Sequence, residues 1–275
     1  MANTGQPAPR AAPRRRPSAT WLGIILIPVL TTLALLGVWE LLARTDIVLP
    51  SQVPPFSEVM SWLFQHAGDE QYVDAIGQTI WHWFAGLILG AAVGAVLGVA
   101  LGSIPLLQQL LSVPLELLRP IPAVVYLPLL ILLMGAKSQT VIVLAALGAF
   151  WPMLFQTIYG VHAIDPQSME TGKVFGLSRR QQLWNIMLPS VLPYMATGLR
   201  IASSLALIIA ISVELVGGVP GLGAELGASG RNALFSAIYG LLIISGILGL
   251  VLNGVLEHFE KRLLRWHVSH RSVSA

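Results

Sequence analysis

The chain has 275 residues, of which 55% are hydrophobic and 11% charged, with a mean hydropathy of +0.74. A soluble domain carries about 25% charged residues, so a water-covered surface is excluded and an integral membrane protein is the class that fits. The absence of cysteine excludes disulfides, thiolate metal sites and a cysteine nucleophile, and the net charge of +3 informs through its placement rather than its size.

Residues 1–20 are rich in Pro, Ala and Arg and read as a disordered basic tail. Arg14-Arg15-Arg16 before an apolar run suggests an export signal. The run is long, however, and no small-x-small cleavage site follows it, so an uncleaved first span over 21–43 is expected. The segment 44–75 holds Asp46, Glu58, Asp69, Glu70 and Asp74 and, after Arg44, no Lys or Arg, as an extracytoplasmic stretch should.

A core of spans, 76–260, then begins. The second span is expected over 76–102, where Gly86, Gly90, Gly94, Gly98 and Gly102 recur at every fourth position. In lipid, small residues at that spacing let helices approach closely, so they form a packing seam for another span or another subunit. Trp81-His82-Trp83-Phe84 reads as an interfacial aromatic belt. Ser103-Ile104-Pro105 ends this helix. The next apolar stretch, 121–136, is short alone, so the third span takes in part of 106–119 and bends at Pro114, Pro120 and Pro122. The remaining spans are expected over 138–164, 189–216 and 232–256. Buried helices of a soluble protein would not explain so many charge-free runs of membrane length.

Orientation follows from Lys and Arg. With the N-terminus inside, the inner segments collect Arg10, Arg14, Arg15 and Arg16, then Arg119, then Lys173, Arg179 and Arg180, then Lys261, Arg262, Arg265 and Arg271 in a C-terminal tail at 261–275. The outer side keeps Arg44, Lys137 and Arg231, and Arg200 lies within a span. A multi-pass protein of the plasma (inner) membrane with both termini cytoplasmic is expected.

The segment 165–186 is polar between two apolar runs. Asp165-Pro166 is a helix cap followed by a favoured first residue, so a short helix should run from 166 to about 174. Gly176 supplies a left-handed turn, and Ser178-Arg179-Arg180-Gln181 reads as a capping box opening a second short helix. Pro189 marks entry into the fifth span. One reading of this segment is adhesion to anionic lipid through Lys173, Arg179 and Arg180.

Its spacing resembles something more specific. Glu170-Thr171-Gly172, three residues, Gly176, nine residues, then Ile186-Met187-Leu188-Pro189 is similar to the cytoplasmic EAA loop of binding-protein-dependent ABC importer permeases. Thr171 and Gly172 depart from the usual alanines, and Gly172 should weaken the first helix by up to about 1 kcal/mol relative to Ala. Leu118-Arg119-Pro120-Ile121-Pro122, Asp165-Pro166, Glu214-Leu215-Val216 with Gly221-Leu222-Gly223, and Leu263-Leu264-Arg265-Trp266 resemble the nitrate/sulfonate/taurine-type branch. The resemblance covers roughly residues 45–267.

This resemblance implies an all-α polytopic fold of about six transmembrane helices, the type I ABC importer permease fold. It implies a non-catalytic subunit whose loop docks on an ATPase subunit, with Glu170 as a polar contact, Gly176 as the turn and Leu188-Pro189 as the joint to the fifth span. It further implies two cytoplasmic ATPase subunits, an extracytoplasmic solute-binding protein and a permease homodimer, and no nucleic-acid partner. Glu214, Gly221 and Gly223 become candidates for a gate or for contact with the binding protein. Nothing matches the phosphate loop GxxxxGK[ST]; Gly135-Ala136-Lys137-Ser138 lacks the upstream glycine. No cofactor or metal is expected, and ATP belongs to a partner chain. A small anion or organic solute of the nitrate, sulfonate or taurine kind is the expected cargo.

Two rivals come from other classes. Gly227-Ala228-Ser229-Gly230 matches the GxSG signature of rhomboid proteases. A base must reach the serine, but His258 lies at the other end of the sixth span, about 40 Å away at 1.5 Å per residue, and His82 and His162 sit in other spans. The expected role of Ser229 is in a flexible outer loop. A self-sufficient secondary transporter would show internal repeats and midplane ionisable groups. No repeat is visible, and Glu40, Arg200 and Glu214 fall near span ends. Glu257 and Lys261 form an ordinary i,i+4 helix pair.

Overall fold

The computed structural model describes residues 21–45 and 52–264; the tails at 1–20 and 265–275 lie outside the described residues. The chain divides into two compact units, 1–57 and 58–275. No strand is present among the described residues.

The first unit is dominated by α1, Trp21–Arg44. Its apolar run carries Pro28 without breaking, and Thr31 and Thr32 donate their hydroxyls to the carbonyls of Ile27 and Pro28, which keeps these polar groups satisfied within the helix. Near its end Glu40 accepts from Arg44 Nε at 2.7 Å and from the Ser57 backbone and hydroxyl at 3.0 and 2.8 Å. Trp39 Nε1 donates to the Pro54 carbonyl, and its ring meets Phe56 at 5.4 Å. The chain is therefore tied at the point where it leaves the apolar run.

The second unit contains most of α2, Phe56–His66, and all later elements. Helix α3 runs from Glu70 to Ser103, starting earlier than the expected 76, so much of the expected outer segment is helical. Helix α4, Pro105–Leu118, and α5, Leu127–Met134 with a 3-10 turn at Ala123–Tyr126, make the bent third span, and the two halves meet at 81°. Helix α6 is Ser138–His162, α7 Pro166–Val174 and α8 Arg179–Gln182. Helix α9 is Leu188–Gly217, α10 Leu222–Arg231 and α11 Phe235–Leu263. Among the described residues, five helical stretches are long and apolar enough to cross a membrane, or six with the bent pair counted as one span.

The core is a layer of α3, α6 and α9. The glycine seam finds its partner within the chain: Gly86, Gly94, Gly98 and Gly102 each face α6. A Cβ on them would lie 2.6 Å from Ala145 Cβ, 2.8 Å from the Phe150 carbonyl, 2.6 Å from Thr157 Cβ and 2.7 Å from Val161 Cβ. Gly90 lies closer still, against the Ala146 carbonyl and Ala149. Both helices advance four residues at a time in the same direction, so α3 and α6 run parallel with backbones in near contact. Close approach maximises dispersion where lipid supplies no hydrophobic drive between helices. On its other face α6 meets α9 through Gly148 against Ile209, Gly160 against Val191 and Tyr194, and Gly198 of α9 against Gln156.

The helices depart from expectation in three further places. The second short helix is not separate: α8 continues through a π-helical turn at Leu183–Met187 into α9, giving one continuous stretch from Arg179 to Gly217. Pro189 has no N–H and its ring crowds the carbonyl four residues before it, and the wide turn with Leu188 N bonded to the Leu183 carbonyl accommodates this without ending the helix. Residues 227–230 are not a flexible loop but part of α10, with Ser229 buried. The belt at 81–84 splits by helical phase: Trp81 and Phe84 are exposed, while His82 and Trp83 are buried, Trp83 Nε1 donating to the Ser203 carbonyl at 3.1 Å.

Candidate functional site

Two ends of the α6–α9 pair hold the candidate residues. At the first end, Asp165 caps α7 by accepting from the Gln167 amide at 3.0 Å. The helix stops in a Schellman arrangement. The Leu177 amide bonds the Gly172 carbonyl, the Gly176 amide bonds the Lys173 carbonyl, and Gly176 sits at φ +72°. Ser178 then opens α8 with a capping box: the Gln181 amide donates to Ser178 Oγ, and the Ser178 amide donates to Gln181 Oε1. Buried Gln182 donates from Nε2 to the Leu177 carbonyl at 2.9 Å and closes the turn.

Gly172 is buried in this corner, and a Cβ there would lie 2.7 Å from Ile186 Cδ1. Its lack of a side chain lets α7 rest on the π-turn, and Ile186 of the leucine-proline motif is the residue it rests on. Leu188 and Pro189 lie inside the continuous helix rather than at a hinge. Glu170 and Thr171 are exposed, and Glu170 makes no hydrogen bond or ion pair among the described residues. Val174 at the end of α7, Phe175 at its cap and Trp184 in the π-turn are 85%, 79% and 60% exposed. Sequence reasoning missed these three; large apolar residues between charged ones in a polar loop were the available signal.

At the opposite end, Glu214 is fully buried. Its Oε1 lies 2.9 Å from His82 Nδ1, and its Oε2 accepts from Thr79 Oγ1 at 2.8 Å and from the Gly223 amide at 3.0 Å. Thr79 Oγ1 also accepts from the Leu222 amide at 2.9 Å. The carboxylate thus joins α3, α9 and the first turn of α10, whose free amides suit an anion. Gly221, at φ +149°, presses its backbone against this carboxylate: a Cβ there would lie 2.6 Å from Oε1. A Cβ on Gly223 would lie 2.6 Å from the Leu215 amide nitrogen. The three residues Glu214, Gly221 and Gly223 are brought together; His82 and Thr79, their partners, were not singled out, because their spacing from 214 carries no local pattern.

The rivals lose their geometry here. Among the described residues no histidine hydrogen-bonds to Ser229, and Thr79 donates to the carboxylate rather than to the imidazole, so no nucleophile–base pair forms. The span-end charges are paired: Glu40 with Arg44, Arg200 with Glu260 and Glu214 with His82. Arg119 ends α4, and its guanidinium carbon lies 4.5 Å from the centre of the Phe155 ring, part-way along α6.

A family profile described as binding-protein-dependent transport system inner membrane component matches residues 90–265. The chain is 30% identical over 251 residues to the taurine transport system permease protein TauC of Escherichia coli, covering 88% of this chain and 90% of that protein. It is 25% identical to the putative aliphatic sulfonates transport permease protein SsuC of Bacillus subtilis, covering 98% and 96%. It is 26% identical to the nitrate import permease protein NrtB of Synechocystis, covering 86% and 88%. Among solved structures, an inward-facing MetNI methionine ABC transporter shares the fold at a TM-score of 0.60 and 18% identity, covering 75% of this chain and 96% of that one. An amino acid ABC transporter crystallised with histidines does so at 0.60 and 17%, covering 74% and 98%.

Proposed function

Because the chain belongs to the binding-protein-dependent transport system inner membrane components and is a permease subunit of an ABC importer, we propose that residues 165–189 are the handle by which a separate ATPase moves it. The observation that supports this most is the construction of that segment. A capped helix, a Schellman turn and a capping box make a stiff corner, and the corner is fused through the π-turn to the 30-residue α9. A force applied at Glu170 or Phe175 therefore reaches the whole of α9 as a rigid-body displacement. Exposed Val174, Phe175 and Trp184 around an unpaired carboxylate form the apolar-plus-polar patch that a protein partner covers.

In this reading the loop faces the cytoplasm with both termini, two ATPase subunits engage two copies of the chain, and a solute-binding protein docks at the α10 end. Glu214 with Gly221 and Gly223 sets the position of α10 rather than touching the binding protein itself, since it has no exposed surface. The cargo is a small anion or organic solute, as the names of the relatives suggest: taurine, sulfonate, nitrate. ATP binds the partner, and this chain needs no cofactor of its own.

The test is co-purification of the tagged chain with its ATPase subunit. Glu170→Lys and Phe175→Asp alter exposed side chains, so membrane insertion should be unchanged while ATPase retention falls at least about tenfold, the loss of one interface anchor. Lys137→Ala, at the opposite end, should retain it. Full retention in both loop variants would return the segment to a lipid-adhering role. Single cysteines at 175 and 225, introduced into a chain that has none, should label from opposite sides of the membrane.

A further inference from the structure

The break between α4 and α5 packs beside α6, a helix long and apolar enough to cross a membrane, short of its end. Phe155, which stacks on Arg119, is seven residues before the end of α6, which places the guanidinium about 10 Å in from that end at 1.5 Å per residue. Residues 119–122 are non-helical there, and Arg119, Pro120 and Pro122 are exposed. Irregular backbone at membrane depth is tolerated only inside protein or beside water. An arginine facing hydrocarbon at that depth is disfavoured on the same grounds. Both facts say that this face of the chain borders a space shut off from lipid.

The space is a groove of about 480 Å³ bounded by the break, α6 and one stripe of α9. Arg119, Trp151, Phe155, Gln156, Tyr159 and Leu205 are the residues that matter in its wall. No carboxylate lines it, and no carboxylate pairs with Arg119 among the described residues. The acid nearest in sequence, Glu116, lines an adjoining groove with Gln108, Ser112 and His162 that shares only Phe155 and Tyr159 with this one, and it forms no ion pair with Arg119. The side chains of Gln156 and Tyr159 make no hydrogen bond among the described residues, so each has an N–H or O–H to give.

We propose that this groove is an anion subsite on the translocation path, taking a small oxyanion — carboxylate, sulfonate or nitrate — on the Arg119 guanidinium. Phe155 covers one face of the guanidinium and leaves its N–H edge free, the edge that binds two oxygens at once. Gln156 and Tyr159 supply further donors, and the apolar wall of Trp151 and Leu205 takes an organic remainder. The inference rests on the chain being an importer permease and deepens that reading by assigning the charge that selects the cargo.

The native chain lacks cysteine, so Leu205→Cys in the full-length chain, assembled with its partners in membrane vesicles, gives a single reporter. Its modification by sulfonatoethyl methanethiosulfonate and by trimethylammonioethyl methanethiosulfonate is measured at low ionic strength, each rate normalised to free thiol. A nearby unpaired cation should favour the anionic reagent by about tenfold. Arg119→Gln should bring the ratio near one, and Arg119→Lys should keep most of it. Nitrate should slow the anionic reagent with Arg119 present and not in the Arg119→Gln background, whereas tetramethylammonium should slow neither. If Arg119→Gln does not assemble, nitrate protection against tetramethylammonium protection in the Leu205→Cys chain carries the test alone. A ratio indifferent to Arg119, equal protection by both ions, or no reaction with either reagent would overturn the subsite. Loss of the ratio with ATPase retention still sensitive to Glu170 removes only this proposal; the reverse pattern removes only the loop as handle.

Discussion

At the α7–α8 end, the fixed hydrogen bonds join residues within five positions of one another: Asp165 to Gln167, Leu177 to Gly172, Ser178 to Gln181, Gln182 to Leu177. At the α10 end, Thr79, His82, Glu214 and Gly223 meet across three helices. The first end presents exposed apolar side chains beside its caps; at the second the polar cluster itself is buried. A corner built from local caps keeps its shape without help from the bundle, which suits a part that is pushed from outside. A cluster built from distant groups exists only while the bundle is closed, which suits a part that reports or holds the state of that end.

Breaking the buried end should have the largest effect. Glu214→Ala leaves the His82 ring nitrogen, the Thr79 hydroxyl and the Gly223 amide without their shared buried partner, and each buried polar group left unsatisfied costs about 1–3 kcal/mol. Glu214→Gln keeps an acceptor for Thr79 and Gly223, and His82 can change tautomer to accept from the amide, so the loss should be less than half as large. Thermal unfolding of the purified protein in detergent measures both. Equal melting of the Ala and Gln variants would mean that neither the hydrogen-bond set nor side-chain volume holds this end.

The local end should respond less and in place. Gly176→Val puts a β-branched side chain at φ +72°, for which about 1–2 kcal/mol is expected. Nothing lies within 4 Å of a Cβ there, so the cost is backbone strain without a clash. Amide exchange should quicken across 172–182 and stay unchanged at 214–223; quickening at both ends would mean that the corner is not an independent piece.

The smallest effect is expected at Gly172→Ala. Alanine favours the helix by up to about 1 kcal/mol, and the 2.7 Å approach to Ile186 is to the far end of a side chain that can rotate. The two nearly cancel, so melting should stay within about 1 kcal/mol of wild type. A loss well beyond that would show that Ile186 is held rigidly and that the corner tolerates no added atom.

The helix caps, the turn at Gly176, the proline-bent third span and the every-fourth glycine stripe were all legible from the sequence. Each is a pattern over a few residues or a helical repeat, and backbone sterics and local hydrogen bonding decide such things before any tertiary contact forms. Charge-poor composition likewise fixed the class, because solvation is additive along the chain. Which surface filled the stripe was not legible, since glycine specifies close approach but not by whom; α6 answers because its residues at 145, 149, 153, 157 and 161 carry the same four-residue step. Nor could the sequence tell that Pro189 lies within an unbroken helix, that Ser229 is buried in α10, or that Arg119 stacks on Phe155. The Glu214–His82–Thr79 cluster belongs wholly to tertiary structure. A buried carboxylate is stable only where several donors converge on it, and that convergence depends on how three helices are placed in space, which no spacing along the chain encodes.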